Sequence, residues 1–445
     1  MGSRLIWPAA AVAYYAVLLA AGGGIFRPVT HGLAFNDMLL HLLHGRVDVD
    51  PAAIGDEGYV RDGAVYAYFG ILPALFRLVF LPLAGFATTD FTRLGCLAAV
   101  ALMAGFKAAS AVFVADRVGD ERAPVLLPPL LAVLLFGGAQ IEFLRPSIFQ
   151  EAVLWADACA AAFVYLALRG WLGEAGFTPR LTAGLALAAG LCLLARVSTA
   201  LGLYLAFAGL WLALAWRERR LRLAPVAILL GFAAIAAALN LARWGNPLVF
   251  VDMSRALILQ RFPDRLARLH EYGEFNPIRL LYGIGYYFAP LWALGGGAGR
   301  LLWQGFQERV IDAAELPPMS FLVSDTLLLG LAGIGLAALL RRRDRLLALL
   351  PGLLTPIALM LCAISMAFRY RLEFYPFLEL CAFAGFARLL AAPGRRTLLW
   401  LGAGAGFGVV SAHAAWLLYM LSPFGPAEEA LRGASVAAFY RALLP

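Results

Sequence analysis

Apolar runs of about twenty residues recur from one end of this chain to the other, and few folds can accommodate them. They cover residues 5–25, 94–114, 124–141, 151–169, 181–195, 197–216, 224–242, 321–340, 346–366, 377–392 and 397–421. The 445 residues are 62% hydrophobic and 14% charged, with a mean hydropathy of +0.80. A soluble core cannot absorb that proportion, and a bilayer admits only segments whose backbone is internally bonded. The expected fold is therefore an all-α polytopic membrane protein, a single transmembrane domain over 1–445 with about eleven transmembrane helices. The first run, behind Arg4, reads as an uncleaved anchor, and the residues after the last run are too few for a domain.

The charges set the orientation. Of the 36 basic residues, 35 are arginine and Lys107 is the single lysine. They cluster between apolar runs, as topology signals do, so the net charge of +8 does not imply nucleic acid. Four clusters (116–122, 217–222, 341–345 and 393–396) read as cytoplasmic loops. The run 66–85 is broken by Pro73 and Pro82 and carries Arg77, a costly residue in lipid. It reads as a short interfacial or re-entrant segment, and so does the aromatic run 282–292. Parity then puts the N-terminus in the cytoplasm and the C-terminus outside. Two loop regions, 26–66 and 243–320, fall on the outer face together with Arg145, Glu151, Arg196, Arg369 and Arg371. The five cysteines lie within apolar runs and suggest neither a disulfide framework nor a metal site.

The most polar stretch of its length is 27–73, with six carboxylates and three of the five histidines. At 100° per residue, 35–44 makes a two-faced juxtamembrane helix. Phe35, Met38, Leu39, Leu42 and Leu43 lie on one side; Asp37, His41 and His44 share an arc on the other. Such a helix lies along a membrane surface and holds a carboxylate there. The plainer reading is a solvated face. Asp48-Val-Asp50 is an alternative acidic pair that leaves room for a divalent metal, as does His41-Leu-Leu-His44 beside Asp37; no metal or other cofactor is otherwise implied.

An acidic residue soon after the first span, followed by Leu43-His-Gly-Arg46, resembles the GT-C glycosyltransferase superfamily. So do Arg145, Pro146 and Glu151, then Leu194-Ala-Arg196-Val-Ser, Asn240-Leu-Ala-Arg-Trp-Gly-Asn-Pro247 and Arg369-Tyr-Arg-Leu-Glu-Phe-Tyr-Pro376. The chain departs from that family in carrying Asn36-Asp37 for the common Asp-Glu pair and in lacking a large C-terminal soluble domain. The resemblance, like that of lipid A aminoarabinose and protein O-mannosyl transferases, implies transfer of a monosaccharide from a polyprenyl-phosphate-linked sugar to a glycan, lipid or protein acceptor, among membrane lipids at the periplasmic face of a bacterial inner membrane. It implies Asp37 as catalytic base, with Glu151 orienting the acceptor or an arginine. Arg145, Arg196, Arg369 and Arg371 would bind the phosphate, and His41 and His44 the acceptor. A transporter, or an O-antigen polymerase or ligase, is the competing expectation.

Overall fold

The computed structural model describes residues 2–20, 24–119, 121, 123–289, 309–311, 313–314, 319–391, 394 and 396–420. Helices dominate: α1 (Gly2–Ala20), α5 (Thr92–Val118), α6 (Ala123–Phe136), α8 (Ile148–Leu172), α9 (Pro179–Leu193), α10 (Val197–Glu218), α11 (Leu223–Trp244), α16 (Thr326–Arg342), α17 (Leu350–Cys362), α18 (Tyr375–Ala391) and α19 (Thr397–Met420). Between them lie shorter pieces: α2 (Ala34–Leu43), α3 (Pro51–Ile54), α4 (Leu72–Phe76), α7 (Gly138–Ile141), α12 (Leu257–Gln260), α13 (Pro263–Tyr272), α14 (Leu280–Phe288) and α15 (Phe321–Ser324). Among the described residues, seven helices are long and apolar enough to cross a membrane, and three shorter apolar ones accompany them. The chain is a multi-pass membrane protein, and among the described residues helix covers most of each of the eleven apolar runs. The end of the 282–292 run, the C-terminal tail and parts of the 393–396 loop lie outside the described residues.

Two of the long helices open on side-chain caps. Ser147 accepts from the Gln150 N–H at 3.1 Å to open α8, and Thr178 with Pro179 opens α9. Helices α16 and α18 cross closely because each offers a glycine. A Cβ on Gly335 would sit 1.8 Å from the Cys381 carbonyl oxygen, and one on Gly385 would sit 2.0 Å from that of Leu331.

Buried charge ties the bundle together. Lys107 of α5 meets Glu379 of α18 at 2.6 Å and Asp157 of α8 at 3.7 Å. One turn away, Arg371 meets Glu142 at 2.6 Å and Asp325 at 2.6 Å, and the Tyr375 hydroxyl donates to Asp325 at 2.9 Å. Each side chain is nearly solvent-free, so each charge depends on its partner.

The bundle has two distinct polar ends. At one, Arg117 meets Glu174 at 2.7 Å, the Trp171 Nε1–H donates to Asp344 at 2.9 Å, and Arg345 donates to the Gly170 carbonyl at 2.9 Å. Arg222 joins them on the Phe177 carbonyl. Three of the arginine-rich loops therefore share this end, as parity requires. Residues 26–91, the 142–147 turn, Arg196, Trp244 and residues 368–374 gather at the other.

Segment 66–85 contains no helix long enough to cross a membrane. It starts at the last residue of a hairpin (β1, Tyr59–Arg61; β2, Ala64–Tyr66) and continues through α4 and a 3-10 turn, Arg77–Phe80. Arg77 is fully buried in protein. Its guanidinium forms a two-pronged pair with Glu151, one prong at 2.7 Å, and donates to the Pro73 carbonyl at 3.0 Å. Breaking one side of such a pair leaves an uncompensated charge, at about 3–5 kcal/mol. Arg77→Met should lower the thermal midpoint in detergent clearly, and adding Glu151→Met should restore most of it. Equal loss in the single and double variants would contradict the pairing.

Candidate functional site

Two loop regions close over the end of the bundle that carries Arg196. The first is anchored by Leu72 N–H on the Leu194 carbonyl at 2.8 Å and by Arg243, which donates to the Phe69 carbonyl at 2.9 Å. The second is laid across the first. Leu257 N–H donates to the Gly58 carbonyl at 3.0 Å, Tyr59 bridges Ala256, and the Tyr59 hydroxyl reaches the Met253 sulfur at 3.3 Å. The two loops share an apolar cluster of Tyr59, Trp244, Ala256, Leu259, Leu269 and Ile364.

Beneath this cover, arginines distant in sequence converge. Arg196, the residue before α10, and Arg369, on the 3-10 stretch Phe368–Phe374, both stack on the Tyr370 ring, their guanidinium carbons 4.8 and 5.2 Å from its centroid. Arg369 also lies 4.9 Å from the Phe149 ring. The Arg196 Nε–H donates to Glu373 at 2.6 Å. Burial opposes the Arg196 charge, but Glu373 together with Tyr370 and Tyr68 more than offsets it, so the guanidinium is held firmly in its charged form. Aromatic rings continue the wall: Phe149 against Phe69 at 5.6 Å, Phe69 against Tyr68 at 4.3 Å, and Tyr68 against Tyr59 at 5.4 Å. Burial, and then Tyr370, pushes the Tyr68 hydroxyl up, while Arg369 and Arg196 pull it down. Those four side chains thus share one electrostatic environment.

Glu57, on the 3-10 turn Gly55–Glu57, lies within electrostatic reach of Arg369. Its carboxyl is pushed above the ordinary range by burial and then by Asp56, against the pull of Arg369, His31 and Arg265. Asp56 lies 3.4 Å from Arg261 of the second loop and 3.7 Å from His31.

Two other carboxylates of the first loop gather around His41. Asp37 Oδ2 accepts the Asp50 N–H at 2.7 Å, and Oδ1 lies 3.6 Å from His41 Nε2. The other ring nitrogen of His41 is 3.2 Å from Asp48, which Arg46 also grips at 3.0 Å. The Arg46 guanidinium holds the Asp48 carboxyl below its ordinary range. His41 therefore stands between two carboxylates, one still partly open to solvent at Asp37. This is the arc that the helical periodicity indicated, closed by the returning loop.

Several expected site residues stand elsewhere. Glu151, expected to orient the acceptor or an arginine, is closed on an arginine, Arg77, and a Cβ at Gly95 would touch its Oε1 at 1.9 Å. Arg371, expected on the phosphate, is fully buried between Glu142, Asp325 and Ser324. Arg145 is buried with its guanidinium 4.1 Å from the Phe368 ring centroid. His44 is exposed and turned back onto the Leu40 carbonyl at 2.7 Å, away from His41. Asp50 caps α3 through Ala52 N–H at 2.8 Å while Asp48 is held by Arg46, so the two do not form one acidic pair. Among the described residues, no group of three or more His, Cys, Asp and Glu side chains is arranged to hold a metal ion. Sequence reasoning missed Glu57, Tyr68, Tyr370 and Glu373. The Arg-Tyr-Arg-Leu-Glu segment held a signal for two of them, since its alternate charges had to divide between the rim and the interior.

No protein-family profile and no curated protein matches the chain. Solved structures similar to it include the Archaeoglobus fulgidus oligosaccharyltransferase in the apo form (14% identity, TM-score 0.47, covering 97% of this chain and 60% of that one). Another is AglB from Archaeoglobus fulgidus in complex with an inhibitory peptide and a dolichol-phosphate (15%, TM-score 0.46, 97% and 59%). The complex of the former enzyme with Zn and sulfate aligns similarly (14%, TM-score 0.47, 99% and 57%). The chain thus matches at most 60% of the length of these structures. Resemblance at this level says nothing of activity.

The raised carboxyl of Glu57 has a measurable consequence. A group that holds its proton more tightly in the folded state stabilises that state at low pH, and the contribution is lost as pH rises through the folded value. Glu57→Gln should therefore flatten the decline in thermal midpoint just above the ordinary glutamate range. An unchanged profile would show that Glu57 titrates as a solvated carboxylate.

Proposed function

We propose that this chain is an inverting glycosyltransferase of the GT-C type, which moves a monosaccharide from a polyprenyl-phosphate carrier to an acceptor hydroxyl at the outer, periplasmic face of the membrane. The observation that carries the reading is the convergence of Arg196 and Arg369 on one tyrosine ring, under two loops and beside Glu57. Guanidinium suits a phosphate because its planar fork meets two oxygens at once. A phosphate leaving group shielded from bulk water needs such partners as its bond to the anomeric carbon breaks.

The reaction then needs a base. The acceptor oxygen attacks the anomeric carbon, the bond from that carbon to the phosphate oxygen breaks, and the acceptor proton passes to a carboxylate. Asp37 is assigned this role. Its oxygens are set by the Asp50 amide and by His41, and its side chain keeps contact with solvent. Glu57, coupled to Arg369, orients the acceptor beside the phosphate. The lipid chain lies along the apolar helices and the acceptor enters from the loop side.

A transporter needs interior charges that face a passage. Here the interior charges close on one another, with Lys107, Asp157 and Glu379 side chains at most 4% exposed. That observation favours the enzyme.

Asp37→Asn preserves shape and removes the basicity, so transfer by the purified protein should fall about 10²–10⁴-fold with lipid-phosphate binding retained. Near-normal turnover in Asp37→Asn, with that loss appearing instead in Glu57→Gln, would move the base to Glu57. Near-normal turnover in both would overturn the mechanism.

A further inference from the structure

Seven residues, Phe368–Phe374, contribute Arg369, Tyr370, Arg371 and Glu373 to two different environments. Arg371 turns into the bundle, whereas Tyr370 and Glu373 both act on Arg196, a residue from another helix junction. Glu373 is 1% exposed and its Oε1 takes the Nε edge of Arg196. Its Oε2 is buried without a hydrogen-bond partner among the described residues. The Arg196 side chain is 17% exposed. Among the described residues its two terminal nitrogens have no hydrogen-bond partner, and the guanidinium carbon lies over the Tyr370 ring, 4.8 Å from its centroid.

A guanidinium has two useful edges. When Nε is engaged by a carboxylate and the guanidinium packs against an aromatic ring, the paired terminal nitrogens remain as a fork whose placement is already restricted. An unrestrained arginine would lose side-chain freedom on meeting an anion, and this one has already lost it.

We propose that Glu373 is a positioning residue for phosphate recognition, which presents the terminal edge of Arg196 to the phosphate group of a lipid carrier. This rests on the lipid-phosphate reading above. The proposal fixes a sign. Glu373 is a buried anion next to a phosphate-binding cation, so on charge alone its removal would tighten phosphate binding. Positioning requires the reverse: removal must weaken binding, and only while Arg196 is present.

Binding of polyprenyl monophosphate to the purified full-length protein in nanodiscs tests this, with inorganic phosphate as a second probe. Glu373→Gln is expected to weaken polyprenyl phosphate binding about tenfold, and to change it less than about twofold in an Arg196→Ala background. Tyr370→Leu should weaken binding in the same Arg196-dependent way and provides a second variant should Glu373→Gln fail to fold. Unchanged or tighter binding in the single variants overturns the positioning role. So does an equal loss with and without Arg196, which would mark a general packing defect. Inorganic phosphate is expected to compete only weakly; competition at equal affinity overturns the lipid assignment. A wild-type protein that binds no polyprenyl phosphate overturns the underlying reading itself.

Discussion

A charge inside an apolar bundle is stable only when a partner of opposite sign lies within hydrogen-bond reach, and this constraint shapes the whole molecule. Arg77 sits in a segment too short and too broken to cross a membrane, and its pair with Glu151 fastens that segment to the start of α8. Arg371 fastens residues 368–374 to the α7–α8 turn and to the α15–α16 junction. Lys107 joins α5, α8 and α18. Between them these pairs decide where the first loop meets the bundle, and so where a site can form.

The same constraint sorts the conspicuous arginines and carboxylates into two kinds. Glu142, Glu151, Asp157, Asp325 and Glu379 are each closed by an interior cation. Asp37 and Glu57 lie at the loop end without such a partner, Asp37 held by an amide and a histidine and Glu57 by longer-range attraction to Arg369. Arg196 has one edge paired and the other toward the open side. A functional group must keep some capacity unused, and these side chains do.

Much of the fold was legible because its signals are long. Apolar runs repeat over many residues, arginine clusters mark one end, and Arg77 forbids a lipid-exposed span, so the arrangement of 66–85 and the shared end of the loops could be deduced. The helix at 35–44 was legible from its period, and Asp37 and His41 do share an environment. What was not legible were pairings between distant residues. Nothing near Glu151 announces Arg77, 74 positions away, and nothing near Arg371 announces Glu142, 229 positions away. Arg369 and Arg371 look alike in sequence, yet the 3-10 turn sends one to the rim and the other inward. Glu57 was passed over because its neighbours Arg369 and Arg265 come from far along the chain.

The central claim is that Arg196 and Arg369 hold the phosphate of a lipid-linked sugar at the loop end of the bundle. An experimental structure of the protein in a lipid nanodisc with polyprenyl phosphate tests it most directly. The account predicts the phosphate between those two guanidinium groups, beside Tyr370 and within reach of the acceptor side of Glu57. A phosphate bound elsewhere, or a lipid seated at the end of the bundle that carries Arg117 and Arg345, would contradict it.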